Sequence, residues 1–164
     1  MQARDLPDAT SFLTLALAVR NLGSALPRQA ARGANVMASV GYVCLGTNDF
    51  DRACAFYDAL AAELGGKRLF PTPHGLMYRL GSGAMIMVTR PYDDQAAAPS
   101  NGGMLAINVD SADDVARVHE KALALGATCE GKPGPRGAFG EFAYFRDLDG
   151  NKLAVYYSER QKKQ

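Results

Sequence analysis

Apolar and polar positions fall into a readable order from Ser39 onward. The run Ser39-Val40-Gly41-Tyr42-Val43-Cys44-Leu45-Gly46, stopped by Thr47-Asn48-Asp49, predicts a buried strand. Ala53, Phe56, Tyr57, Leu60 and Leu64 then recur at helical spacing, which gives a helix one apolar face. Asp49 or Asn48 serves as its cap, and Gly65-Gly66 ends it. Three strand-like pieces follow over 67–70, 75–80 and 84–89, punctuated by Pro71 and Pro73 and by a Gly81-Ser82-Gly83 hairpin turn.

The same order then returns. After a polar connector from Pro91 to Asn101, Met104–Val109 reads as a strand, Asp110 or Ser111 as a cap, and Val115, Val118, Ala122 and Leu125 as the apolar face of a second helix that Gly126 ends. Further strands are expected over 128–130, 141–146 and 152–157. Laying Tyr42 on Met104 sets Asp51 on Asp113, Phe56 on Val118 and Tyr57 on His119. An internal duplication of a βαβββ unit accounts for this, with modules at 39–90 and 103–158 inside a domain spanning 37–158. Each module's sheet has one helix to cover one face, so the pair is expected to share a core and a cleft. The expected class is α+β, tandem βαβββ modules forming a curved mixed sheet around that cleft.

Residues 1–36 differ from this pattern. The apolar stretch Phe12–Val19 followed by Arg20, Arg28 and Arg32 makes a poor secretory signal, because Asp5 and Asp8 occupy the segment that ought to be positive. The segment reads as an extension outside the domain, with Met37 as a second possible start and a docking helix or a targeting segment as alternatives. Residues 159–164 read as a charged tail.

Charge narrows the partners. Eighteen Lys and Arg against 17 Asp and Glu leave a net charge of +1, without the basic footprint of a nucleic-acid binder. No apolar run is long enough to span a membrane, so neither nucleic acid nor membrane is an expected partner. Cys44, Cys54 and Cys129 stand singly, with no CxxC pair, which argues for a reducing, cytoplasmic setting and against a disulfide framework or thiolate zinc site. Cys44 and Cys54 read as small core residues, and Cys129 likewise. Nucleophile-elbow, Walker and dinucleotide motifs are missing from the sequence. The expected partner is a small molecule.

Two motifs on this repeat carry a resemblance. Phe145-Arg146-Asp147-Leu148-Asp149-Gly150-Asn151-Lys152-Leu153 resembles the F-x-D-P-D-G-N-x-hydrophobic signature of the vicinal-oxygen-chelate superfamily, with Leu148 in place of Pro. Thr47-Asn48-Asp49 with Ala55-Phe56-Tyr57 is similar to that family's strand-to-helix passage. The superfamily includes glyoxalase I, bleomycin-resistance proteins, fosfomycin-resistance transferases and extradiol dioxygenases, and the resemblance runs from Val40 to Tyr157. Asp149-Gly150-Asn151 reads as a turn and not as a calcium loop, since Lys152 and Ser158 stand where an EF-hand starting at Asp147 needs Gly and Glu.

The resemblance implies a divalent metal in the cleft of catalytic members and a homodimeric assembly. It also implies where the ligands would stand. The family's first-strand His position, seven residues before the Asp of the strand-to-helix turn, falls on Tyr42. Its counterpart in the second module is Met104, and the last-strand carboxylate position is Ala154. The equivalent first-module strand, Ala84–Val88, holds no nitrogen or oxygen ligand. A phenol, thioethers and an alanine make a poor set for a divalent ion, so no metal and no other cofactor is expected. His119 reads as a partly exposed helix residue, and His74 as a loop histidine either solvated or at the cleft mouth.

Strand alternation then offers Tyr42, Cys44, Met104, Asn108, Ala154 and Tyr156 as cavity lining or as plain core, with Met85 and Met87 adding adaptable surface. The Gly- and Pro-rich stretch 131–140 reads as a long connector that brings Arg136 and Phe139 to the cleft, Arg136 either gripping an anion or merely solvated. Glu141 is the candidate acid–base residue. Such a lining suits a flat or aromatic ligand. Three functions remain open: a metal-free small-molecule-binding protein of the bleomycin-resistance type, a lyase or isomerase of the lactoylglutathione-lyase type or another metal-dependent enzyme of the superfamily, and an interaction protein with a filled cleft.

Overall fold

The alternation of apolar residues along the chain is realised as two copies of one module. In the computed structural model, residues 39–81 and 83–159 are described; the extension at 1–36 and most of the charged tail lie outside them. The first module consists of β1 (Val43–Gly46), α1 (Phe50–Glu63), β2 (Lys67–Pro71), β3 (Gly75–Leu80) and β4 (Ala84–Thr89). The second consists of β5 (Leu105–Asn108), α2 (Ala112–Ala124), β6 (Thr128–Pro135), β7 (Glu141–Arg146) and β8 (Lys152–Tyr157), with a 3₁₀ turn at Gly137–Phe139. The sheets run β1-β4-β3-β2 and β5-β8-β7-β6. The pairs β1 with β4 and β5 with β8, each at one edge of its sheet, are parallel, and the other pairs are antiparallel. Val43 faces Ile86 across the first sheet as Leu105 faces Leu153 across the second, so the duplication extends to strand register.

Both helices start on a side-chain cap. Asp49 accepts from the Arg52 amide at 3.1 Å, and Ser111 accepts from the Asp114 amide at 3.1 Å. Each helix lays its apolar face on its own sheet, and the two buried sets merge. Tyr57, Leu60, Tyr78, Ile86 and Val88 belong to one cluster with Val115, Val118, Phe145, Leu153 and Val155. Burying these side chains from both modules in one core leaves neither module able to dispense with the other.

The joint between modules is polar and centred on the turn before β8. Asp147 is buried at 6% exposure. Its carboxylate accepts from the Asp149 and Asn151 amides at 3.0 and 2.8 Å, from Asn151 Nδ2 at 2.8 Å and from the Tyr57 hydroxyl of α1 at 2.6 Å. Asp149 reaches the other module. It accepts from Thr47 Oγ1 at 2.7 Å and from the Asn48 amide at 2.9 Å, at the N-terminus of α1, where a negative charge also meets the positive end of the helix dipole. Asn151 Nδ2 donates to the Gly46 carbonyl at 2.9 Å. Gly150 sits at φ 87°, and a Cβ there would stand 2.8 Å from Pro99, so the turn requires glycine on two counts.

The equivalent place in the first module differs. The β3–β4 turn carries no carboxylate, and a cavity of about 650 Å³ opens beside Leu80, Gly81, Gly83, Asn108, Asp110 and Asp114. Here the modules meet through Arg117 of α2, whose guanidinium pairs with Glu63 of α1 and, at 2.7 Å, with Asp114.

Four sequence expectations are corrected. His119 is not partly exposed: it lies beneath α2 at 5% exposure, close to the Phe145 ring, and its Nε2 has no hydrogen-bond partner among the described residues. Cys44 and Cys129 are exposed, whereas Cys54 is buried as expected. Cys44 alternates away from Val43 and Leu45, which pack against the core. The first strand begins at Val43 and not at Ser39. The stretch 131–140 is not one long connector: β6 continues to Pro135, with register irregularities between Cys129 and Gly131 and between Gly131 and Gly134. β6 is an edge strand, where prolines and bulges are tolerated.

Tyr57→Phe removes the hydroxyl donated to a buried carboxylate, and thermal or urea unfolding is expected to show a loss of about 1.5–3 kcal/mol. Tyr92→Phe, at an exposed ring, leaves the midpoint unchanged. Burial holds the His119 pKa below its ordinary value of 6.5, only partly offset by a backbone hydrogen bond with Tyr144. The folded state therefore favours neutral imidazole. Its stability contribution is complete above the unfolded pKa and is lost as pH falls from about 6.5 through the folded value. Unfolding midpoints between pH 7.5 and 5 should drop more steeply for the parent protein than for His119→Gln, and parallel curves would assign the pH dependence elsewhere.

Candidate functional site

Because the shared core lies on the helix side of both sheets, the opposite faces of both look away from it together. Alternation decides what they display. On the first sheet, Cys44 stands opposite Met87, Met77 opposite Met87, and Arg79 opposite both Met85 and Lys67. This half is rich in sulfur, with polarizable and adaptable side chains. On the second sheet, Ala106 stands opposite Ala154, Asn108 opposite Tyr156, Tyr156 opposite Phe142, Ala154 opposite Tyr144, and Lys152 opposite Arg146. This half is aromatic and cationic.

Three rings on the second sheet form a stack. Phe142 and Tyr156, direct cross-strand neighbours, have centroids 4.9 Å apart with planes at 12°. Phe142 and Tyr144, two residues apart on β7, are 6.1 Å apart at 18°. Such short separations at small angles mean that the rings face one another and stand up from the sheet, leaving their edges outward. Gly131 makes room for the stack, since a Cβ there would come within 2.8 Å of Tyr144.

Cations gather at the Tyr144 end. The Arg136 guanidinium lies 5.4 Å from the Tyr144 ring centre and Lys152 Nζ 5.6 Å from it. Arg136 donates to the carbonyls of Gly134, Pro135 and Lys132 at 3.2, 3.1 and 3.2 Å, and no carboxylate pairs with it among the described residues. Lys152 is engaged by Glu130 at 2.9 Å, and Arg146 pairs with the same carboxylate. Lys152, and then Arg146, hold the Glu130 carboxyl below the ordinary range, so it stays an anion.

The remaining sequence candidates scatter. Tyr42, immediately before β1, is 52% exposed and Met104, immediately before β5, is 47% exposed. Met104 and Cys44 share a cavity of about 340 Å³ along the seam between β1 and β5. Asn108 donates to the Tyr156 carbonyl at 3.3 Å. Ala154 is fully buried, and Phe139 is exposed in the 3₁₀ turn. His74 lies in the β2–β3 turn, its ring 5.3 Å from that of Tyr92. Glu141 stands opposite Tyr157, with the parity of Ala143 and Phe145. It therefore belongs to the core side of β7, away from Ala154 and Tyr156. Sequence reasoning missed Phe142 and the cationic pair Lys152 and Arg146. Strict alternation from Tyr144 on β7 and from Ala154 on β8 would have found them.

The metal question can be put to these residues. Tyr42, Met104 and Ala154 offer one phenol and one thioether between them, and the described residues contain no group of three or more His, Cys, Asp or Glu able to hold an ion. The donor set does not fit a divalent metal.

Two four-stranded mixed sheets, each with one parallel pair at its edge and one covering helix, define the paired βαβββ class of α+β proteins. The chain belongs to the Glyoxalase/Bleomycin resistance protein/Dioxygenase superfamily, whose family model matches residues 37–155. Among solved structures it is similar to a glyoxalase/bleomycin resistance protein from Albidiferax ferrireducens, at 31% identity and TM-score 0.65 over 73% of this chain and 98% of that one. It shares the fold of the fosfomycin resistance protein FosX from Listeria monocytogenes, solved with Mn(II) and 1S,2S-dihydroxypropylphosphonic acid. That match has 15% identity and TM-score 0.61, covering 77% of this chain and 95% of that one. It also shares the fold of lactoylglutathione lyase from Agrobacterium tumefaciens, at 20% identity and TM-score 0.55 over 74% of this chain and 95% of that one. None of the curated proteins matches. No described helix is long and apolar enough to cross a membrane.

Proposed function

We propose that this member of the superfamily is a metal-independent small-molecule-binding protein, a cytoplasmic homodimer that holds its ligand against the helix-free faces of its two sheets. The observation that carries the reading is the chemistry of those faces. The positions where relatives with a metal would place ligands hold Tyr42, Met104 and Ala154, and beside them stand a three-ring stack and a row of thioethers. Contact with rings and sulfur holds a flat apolar body, while Asn108 and the tyrosine hydroxyls supply direction. A lyase or isomerase would need a proton-transfer group on the same face. Glu141 is on the other one, and Glu130 is paired with both Lys152 and Arg146, which lowers its proton affinity and makes it a weak base.

Elemental analysis of protein purified without chelator is expected to find far less than one equivalent of nickel, zinc, iron or manganese per chain. The melting temperature is expected to stay unchanged on adding either metal or chelator. A stoichiometric ion, or a melting point raised by one metal at micromolar concentration, would replace this reading with a metalloenzyme. Light scattering at micromolar concentration tests the dimer.

A further inference from the structure

The second module's helix-free face combines three features that constrain a ligand in different ways. The first is the stack of Tyr144, Phe142 and Tyr156, whose outward edges carry the positive rim of the ring quadrupole. Such edges attract the negative π-face of a planar molecule laid across them. The second is the charge of the face. Its strands contribute Arg146 and Lys152 against the single carboxylate Glu130, and the corresponding face of the first sheet adds Lys67 and Arg79. An excess of one sign favours the opposite sign in whatever approaches. The third is Arg136, a half-buried guanidinium beside the stack with no acid of its own. Lys152 and Arg146 are already engaged by Glu130; Arg136 is bonded only to carbonyls. Those three contacts fix its orientation in advance, which lowers the entropy lost when an anion docks on its remaining N–H groups.

We infer that the ligand of this face is a planar aromatic acid, lying across the edges of the Phe142, Tyr144 and Tyr156 rings with its anionic group on Arg136. This rests on the small-molecule reading above and names the ligand's chemistry. A neutral aromatic would use the stack and leave Arg136 idle. A compact inorganic anion would use Arg136 and leave the stack idle. An organic cation would face the excess of positive charge. The aromatic acid alone among these engages all three features.

Calorimetric titration of the full chain with 2-naphthoate and with its neutral isostere 2-naphthamide tests the assignment. Naphthoate is expected to bind about tenfold more tightly, a difference of about 1.4 kcal/mol. Arg136→Gln should reduce naphthoate to the affinity of naphthamide, Arg136→Lys should restore part of the preference, and Phe142→Ala should weaken both compounds. Raising salt from about 20 to about 500 mM should shrink the preference in the unmodified protein, a readout that does not depend on any variant folding. Equal affinity for the two compounds, a preference insensitive to salt, or a preference surviving Arg136→Gln would overturn the acid assignment while leaving small-molecule binding intact. Failure of both compounds to bind would overturn the aromatic-acid inference; if a thermal-shift screen of neutral and cationic aromatics also gave no stabilisation, the binding reading would fall with it.

Discussion

Everything in this molecule hangs on one buried carboxylate. Asp147 has no charged partner; it is held by two backbone amides, an amide side chain and a phenol. Four donors replace the water that an ionised carboxylate gives up on burial, and without them its burial would be prohibitive. Once Asp147 is fixed, the turn places Asp149 on the first turn of α1 and Asn151 on the end of β1. Tyr57 is committed in return, its ionisation pushed far up by burial and then by the neighbouring carboxylate, so it acts as a permanent donor. The two sheets keep their relative setting through this turn, and with it the arrangement of their outward faces.

Much of the fold was legible because duplication doubles the signal. The bounds of β3, β4, β7 and β8 follow from alternation between turn residues, and both caps follow from short polar side chains ahead of an apolar period. The failures have physical causes. β6 was hidden by its own composition, since Gly131, Pro133 and Gly134 read as a loop anywhere except at a sheet edge. His119 completes the stripe Val115, Val118, Ala122 and falls on Tyr57 in the repeat, yet its polarity argued it outward. The contacts of Asp149 span about a hundred residues, a separation at which local pattern carries no information.

The helix-free face was only half legible. Parity named Ala154 and Tyr156 correctly as neighbours on one face, and the same rule excludes Glu141 from it once the register of β7 is known. Arg136 was identified as a loop cation, but what distinguishes it is acquired in three dimensions: an aromatic ring alongside and three carbonyls in place of an acid. The fold fixes which strand positions face outward, and the residues at those positions fix the chemistry the face offers.

The duplication is unequal at its joints. At one end the 147–151 turn threads hydrogen bonds into the opposite module, while at the other the 650 Å³ gap beside Gly81 and Gly83 is bridged by the partly exposed guanidinium of Arg117. The two edges therefore differ in their openness to dissolved salt: the Arg117 side chain is half exposed, whereas the Asp149 side chain is almost wholly covered, so added ions screen the first tie and spare the second.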